Sequence, residues 1–155
     1  MLRALWWAGF AAVGIWAEAF VPGVDFLAPG LVFSLQTEGR ARALTLALAW
    51  VLLQEGMGSQ HFGASVIWYW ALYLLVSLGH DYFQPRSLPF MTLLGLVMGL
   101  LHFLQTYAMA TLSVKGVPLD RVAWESLIQV LTFPVVWFFV DRFYPARLRD
   151  DGQPV

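Results

Sequence analysis

The sequence predicts an all-α integral membrane protein, a compact bundle of about six short transmembrane helices with both termini in the cytoplasm. Three observations predict it: an apolar excess, the spacing of the apolar runs, and the placement of the arginines. Of 155 residues, 59% are hydrophobic, 16% aromatic and only 12% charged, with a mean hydropathy of +0.66. Soluble domains carry about a quarter charged residues, so polar surface is too scarce here to cover a globule in water. Six spans of ~20 residues consume nearly the whole chain. Residues 1–155 therefore read as a single transmembrane domain with no room for a soluble catalytic domain.

The elements follow in order. The first span runs from about Ala4 to Val21 and stops at Pro22-Gly23. Arg3, the apolar run and Ala17-Glu18-Ala19 look like a signal peptide with its cleavage site, yet the segment reads as a retained first helix. The second span, Phe26 to Leu35, is short: ten helical residues cover only ~15 Å, half the hydrocarbon core. Asp25 is placed as its N-cap and Pro29 near its first turn. After the polar run Thr37-Glu38-Gly39-Arg40-Ala41-Arg42 comes a short third span, Ala43 to Leu53. The Gly-rich stretch 54–63 leads into a fourth, Ala64 to Leu78. The fifth is Leu88 to Leu112 and the sixth Val122 to Val140, followed by a tail carrying Arg142, Arg147 and Arg149.

Charge placement supports this count. With six spans, Arg3, Arg40, Arg42, Arg86, Arg142, Arg147 and Arg149 share one side, seven of the nine basic residues, while Lys115 and Arg121 lie on the other. The positive-inside rule assigns the richer side to the cytoplasm. Merging spans two and three would bury Arg40 and Arg42 at costly mid-membrane depth. The tryptophans fit as interface anchors, Trp6 and Trp7 on the cytoplasmic side and Trp16, Trp50 and Trp124 on the outer.

Span five carries the most informative face. Gly95, Gly99, His102 and Thr106 recur at helical spacing with Gln105 beside them, and Gly95–Gly99 is a G-x-x-x-G that permits close helix approach. Span six offers a matching stripe of Glu125, Gln129 and Thr132. In an antiparallel hairpin His102 falls near Gln129 and Thr106 near Glu125, and polar groups within a bilayer need such partners. These residues read as helix-packing or partner-binding positions. Towards the outer face, Glu18, Glu55, Gln60 and His61, with Glu125, form a possible polar pocket.

Sharper chemistry finds little support. The net charge of −1 argues against nucleic acid. No metal site is expected, because the candidate ligands come from separate segments without ligand spacing. The Gly-rich stretch lacks the lysine of a phosphate cradle. Ser59 with His102 is similar to an intramembrane serine protease, but Ser59 is followed by Gln60 where such enzymes carry glycine. No catalytic residue and no cofactor are expected.

Across nearly its whole length the chain resembles the rod-shape-determining MreD family. The resemblance rests on the first span ending near a proline and on the short second span (Asp25 to Phe33). A basic turn follows, then a third span running into Gln54-Glu55-Gly56, where the family usually shows a polar pair, often with an aspartate, before glycine. Gly63 and an aromatic-rich fourth span come next, and the last span has a mid-helix Pro134 and an arginine tail. The resemblance implies a non-catalytic component of the cell-elongation machinery in the bacterial cytoplasmic (inner) membrane. It would be multi-pass, in contact with membrane lipids, bind the bitopic protein MreC and, with it, influence a peptidoglycan synthase. It also implies a fold like the substrate-binding membrane subunits of vitamin transporters. Such a subunit is the alternative function, with Glu18, Gln60, His61, Trp68, Gln105 and Glu125 as pocket residues. An accessory subunit of a larger membrane complex is a third.

Overall fold

Long apolar runs without two-residue alternation, broken by Pro-Gly pairs and polar turns, are the pattern of packed helices. The computed structural model describes residues 1–56, 63–80, 82–84, 86–112 and 119–149. Among these it holds six α-helices, one short 3-10 turn and no strand. The helices are α1 (Leu2–Phe20), α2 (Ala28–Thr37), α3 (Arg40–Gly56), α4 (Ala64–His80), α5 (Leu88–Leu112) and α6 (Leu119–Phe143), and the 3-10 turn is Ala146–Leu148. Among the described residues two segments are long and apolar enough to cross a membrane: Leu88–Ala108 of α5, and α6.

α3 runs three residues beyond the apolar span at each end, and α6 also starts and ends three residues outside it. Arginine, glutamine and glutamate are good helix formers, so the hydrogen-bonded ladder continues through them where hydropathy stops. Gly39, at φ +87°, makes the tight reversal from α2 to α3 that an L side chain would resist.

α2 is the hub. Every residue from Ala28 to Leu35 is buried, and so is Thr37. It packs against α3, α4 and α6. It also meets α1 at two small residues. A Cβ on Gly14 would lie 2.5 Å from Leu27 Cδ2, and one on Gly30 2.4 Å from the Phe10 ring. A short run with no polar residue before Ser34 has no solvated face to offer, so burial on all sides is its stable placement. Trp50 departs from the expected outer interface position. It is 1% exposed and stacks into the core against Trp7 and Phe10, each with ring centroids 5.8 Å away. Counting apolar residues along α3 overlooks the rings that α1 brings against Trp50.

α5 and α6 form the closest helix pair, and the G-x-x-x-G lies in their contact. A Cβ on Gly95 would sit 2.8 Å from the Val130 carbonyl oxygen. One on Gly99 would sit 2.3 Å from Val130 Cγ2 and 2.9 Å from the Ser126 carbonyl oxygen. Gly9 of α1 is the contrast, with nothing within 4 Å of a Cβ. Gly9→Ala is therefore expected to leave stability unchanged or raise it by up to ~1 kcal/mol through helix propensity, as read from thermal unfolding in detergent.

The chain direction gathers seven of the eight arginines, all but Arg121, at one end. Arg3 at the start of α1 donates to the Leu148 carbonyl at 2.9 Å, and Arg86 before α5 donates to Thr37 Oγ1 at the end of α2 at 3.2 Å. The opposite end holds the segment between α1 and α2 and the entry to α4.

Candidate functional site: a polar cavity above a short central helix

Because α2 covers only ~15 Å, the chain between α1 and α2 dips into the bundle as non-helical backbone. Leu27, immediately before α2, touches Gly14 in the middle of α1. Buried backbone groups outside a helix must find partners, and side chains of α6, α1 and the loop's own Asp25 supply them. Gln129 of α6, fully buried, accepts from Asp25 N at 2.8 Å and donates to Asp25 O at 3.3 Å. Glu18 of α1 accepts from Phe26 N at 3.2 Å. The Asp25 carboxylate accepts from the N–H groups of Leu27 and Ala28 at 2.8 and 3.0 Å, closing the start of α2, and from the Trp68 indole at 2.8 Å. Behind Glu18, Gln54 donates to it at 3.4 Å and accepts from the Tyr69 hydroxyl at 3.2 Å.

The polar residues of the helices thus satisfy the backbone of an inserted loop. Gln129→Leu leaves both the N–H and the C=O of Asp25 without partners. At ~1–3 kcal/mol for each buried unsatisfied group, a loss of about 2 kcal/mol or more is expected in thermal or denaturant unfolding in detergent.

Beside this loop lies a cavity of about 250 Å³, lined by residues from Gly23 and Asp25, the end of α3 (Gln54), the start of α4 (Ser65, Trp68), α5 (His102, Gln105, Thr106) and α6 (Glu125). Two buried polar atoms in its lining, Ser65 Oγ and His102 Nε2, have no hydrogen-bond partner among the described residues. The His102 ring meets the Trp68 ring edge-to-face at 6.1 Å. Glu125 pairs with Arg121 at 2.8 Å and also faces Gly23, where a Cβ would fall 2.8 Å from its Oε2.

The residues singled out in the sequence divide accordingly. His102, Gln105, Thr106 and Glu125 share the cavity, whereas Gly95 and Gly99 face the α6 backbone. His102 does not bond to Gln129, because the inserted loop takes both ends of that amide. Of the outer set, Gln60 and His61 lie outside the described residues, as does Ser59. Glu18 turns inward to the loop, and Glu55 accepts from Gly63 N at 2.9 Å, so among the described members of that set Glu125 alone lines the cavity. Among the described residues no three His, Cys, Asp or Glu side chains converge as a metal site would require. Asp25, Gln54 and Ser65 were not legible as site residues. The available signal was a lone aspartate before a helix with no polar face, which marks a buried cap.

A second polar cluster closes the arginine-rich end. Glu38, with its side chain 3% exposed, lies 3.4 Å from Arg3 Nε. It accepts from Trp7 Nε1 at 2.9 Å, from Ser34 Oγ at 3.4 Å and from the Tyr144 hydroxyl. Burial, reinforced by the hydrogen bond to Glu38, pushes the Tyr144 phenol up to about 12. One carboxylate thereby joins the start of α1, the end of α2 and the residue after α6. No family model, curated protein or solved structure matches the chain in comparisons of sequence and fold.

Proposed function

We propose that the chain is a multi-pass, non-catalytic protein of the bacterial inner membrane, spanning it as a bundle of six short helices. In this reading it serves the cell-elongation machinery by binding MreC and modulating a peptidoglycan synthase. The membrane part is supported above all by the outward surface. Large apolar side chains such as Val13, Leu52, Ile67, Trp70, Leu100 and Phe139 are exposed along five different helices, where a water-soluble bundle would place charges. The polar side chains instead turn inward to the loop before α2, which suits a solvent that cannot hydrogen-bond. Seven arginines at one end support an orientation with that end cytoplasmic.

The partner assignment is supported by the architectural resemblance alone: a short second span, a basic turn, the Gln54-Glu55-Gly56 stretch and the mid-helix Pro134. Its test is purification of the tagged protein in mild detergent with mass spectrometry of what accompanies it. Stoichiometric MreC is the expected result. A preparation from a rod-shaped host that retains its fold and carries no MreC contradicts the assignment.

The cavity favours a second reading, a substrate-binding membrane subunit of a vitamin transporter, since such a subunit needs a concave site with a few convergent polar groups. A vitamin-sized molecule co-purifying with an ATPase-linked partner is the result that would select it.

A further inference from the structure

We propose that the cavity above α2 binds a protonated primary amine, held by Asp25 and Glu125 with Ser65 and His102 as additional acceptors. The first support is the orphaned pair. Ser65 is 2% exposed and lines the cavity, and among the described residues its Oγ has no partner, as is true of His102 Nε2. Buried polar atoms are nearly always satisfied, so two in one wall mark a place where a further hydrogen-bonding group belongs.

The second support is the sign of the site. A helix N-terminus ordinarily attracts anions, but the first free N–H groups at α2 are already taken by the Asp25 carboxylate. What the cavity presents is therefore carboxylate. Asp25 and Glu125 both line it, Glu125 with its Oε1 held by Arg121 at 2.8 Å, and among the described residues no lysine or arginine side chain lines the cavity. An ammonium group offers three donors and no acceptor. That matches two carboxylates, a hydroxyl and an imidazole nitrogen better than any neutral or quaternary group does. The Trp68 ring in the wall adds a surface that favours a cation.

Size limits the ligand. About 250 Å³ equals the room of about eight waters, enough for an amine head and a short polar chain. Phosphatidylethanolamine and a free small amine present the same chemistry. The inference relies on the membrane reading for the lipid source alone, and it is independent of the partner assignment.

The test uses the full chain in nanodiscs of phosphatidylcholine, with and without phosphatidylethanolamine. Thermal unfolding and native mass spectrometry of retained lipid are the readouts. Ethanolamine is titrated into the phosphatidylcholine discs as the free probe, with choline and ethylene glycol as controls lacking N–H groups or charge. A rise in unfolding temperature with ethanolamine identifies a free amine. Selective retention of phosphatidylethanolamine without an ethanolamine response identifies the lipid headgroup. Either result supports the site, provided that Ser65→Val and Glu125→Gln weaken binding roughly tenfold or more while the unliganded protein still unfolds cooperatively. Asp25→Asn also disturbs the cap of α2, so those two variants carry the test. No response to either amine, equal responses to choline and ethanolamine, or unchanged affinity in both variants would overturn the proposal. A protein that inserts into nanodiscs yet binds no amine leaves the membrane reading standing and removes the ligand site.

Discussion

Glu38→Ala is expected to destabilise the protein by about 3 kcal/mol or more, with a loss of cooperative unfolding if the ends of α1 and α6 come free. Deleting one partner of a buried ion pair leaves the other uncompensated and costs ~3–5 kcal/mol. Arg3 keeps 27% of its side chain exposed, which places the ionic part at the lower end of that range. The indole of Trp7 and the hydroxyls of Ser34 and Tyr144 lose their acceptor at the same time. Glu38→Gln keeps the shape and one acceptor oxygen but also removes the charge facing Arg3, so a loss smaller than that of Glu38→Ala, by the hydrogen bonds its carbonyl retains, is expected. Tyr144→Phe removes one hydrogen bond and should cost ~1 kcal/mol. Thermal unfolding of the three variants in one detergent provides the check, and equal stability of Glu38→Ala and wild type would contradict the network. The same cluster has an alkaline limit. A phenol raised from ~10 to about 12 holds its proton more tightly in the folded state. Its contribution is complete below ~10 and is lost as pH rises through about 12.

Replacing Gly95 and Gly99 together with leucine is expected to abolish the α5–α6 contact. Overpacking a filled interior costs ~1–3 kcal/mol per site where side chains can adjust. Here part of what a side chain meets is backbone: the Val130 oxygen at 2.8 Å from a Cβ on Gly95 and the Ser126 oxygen at 2.9 Å from one on Gly99. Backbone carbonyls in a helix cannot rotate aside, so the helices must separate. Separation also pulls Gln129 and Glu125 away from the loop and cavity they serve. A loss of about 4 kcal/mol or more, seen as aggregation or a collapsed unfolding transition in detergent, is the expected outcome. Wild-type stability in the double variant would mean that the glycines face lipid.

The contrast between these two sites shows what the sequence discloses and what it withholds. The glycine stripe is legible because its logic is local: residues four apart share a helix face, and two glycines on one face admit a neighbour. Asp25 as the residue closing α2 is legible for the same reason. Glu38 is not, because it sits in a run of polar residues with Arg40 and Arg42 that reads as a solvated turn. Its burial depends on Trp7 and Tyr144, 31 residues before and 106 after it. The pairing of His102 with Gln129 follows from matching depths in a two-helix hairpin. It fails because a third element, the loop before α2, reaches Gln129 and has the stronger need, two bare backbone groups against one imidazole. Trp50 misleads similarly: its distance along α3 suggests an interface, while its neighbours across space place it in the core. Short spans were visible, but not that the shortest lies at the centre and leaves a polar cavity above it.

The central claim is a bundle that crosses the membrane with its arginine-rich end inside. The chain contains no cysteine, so single cysteines can report sidedness without background. Arg42→Cys, Asp120→Cys and Arg147→Cys each replace an exposed residue, the second at the start of α6 and the others at the arginine-rich end. With a membrane-impermeant maleimide on intact inner-membrane spheroplasts, Asp120→Cys should label at once, and the other two only after the membrane is opened. Labelling of Arg147→Cys in intact spheroplasts, or recovery of the protein in the soluble fraction, would contradict it.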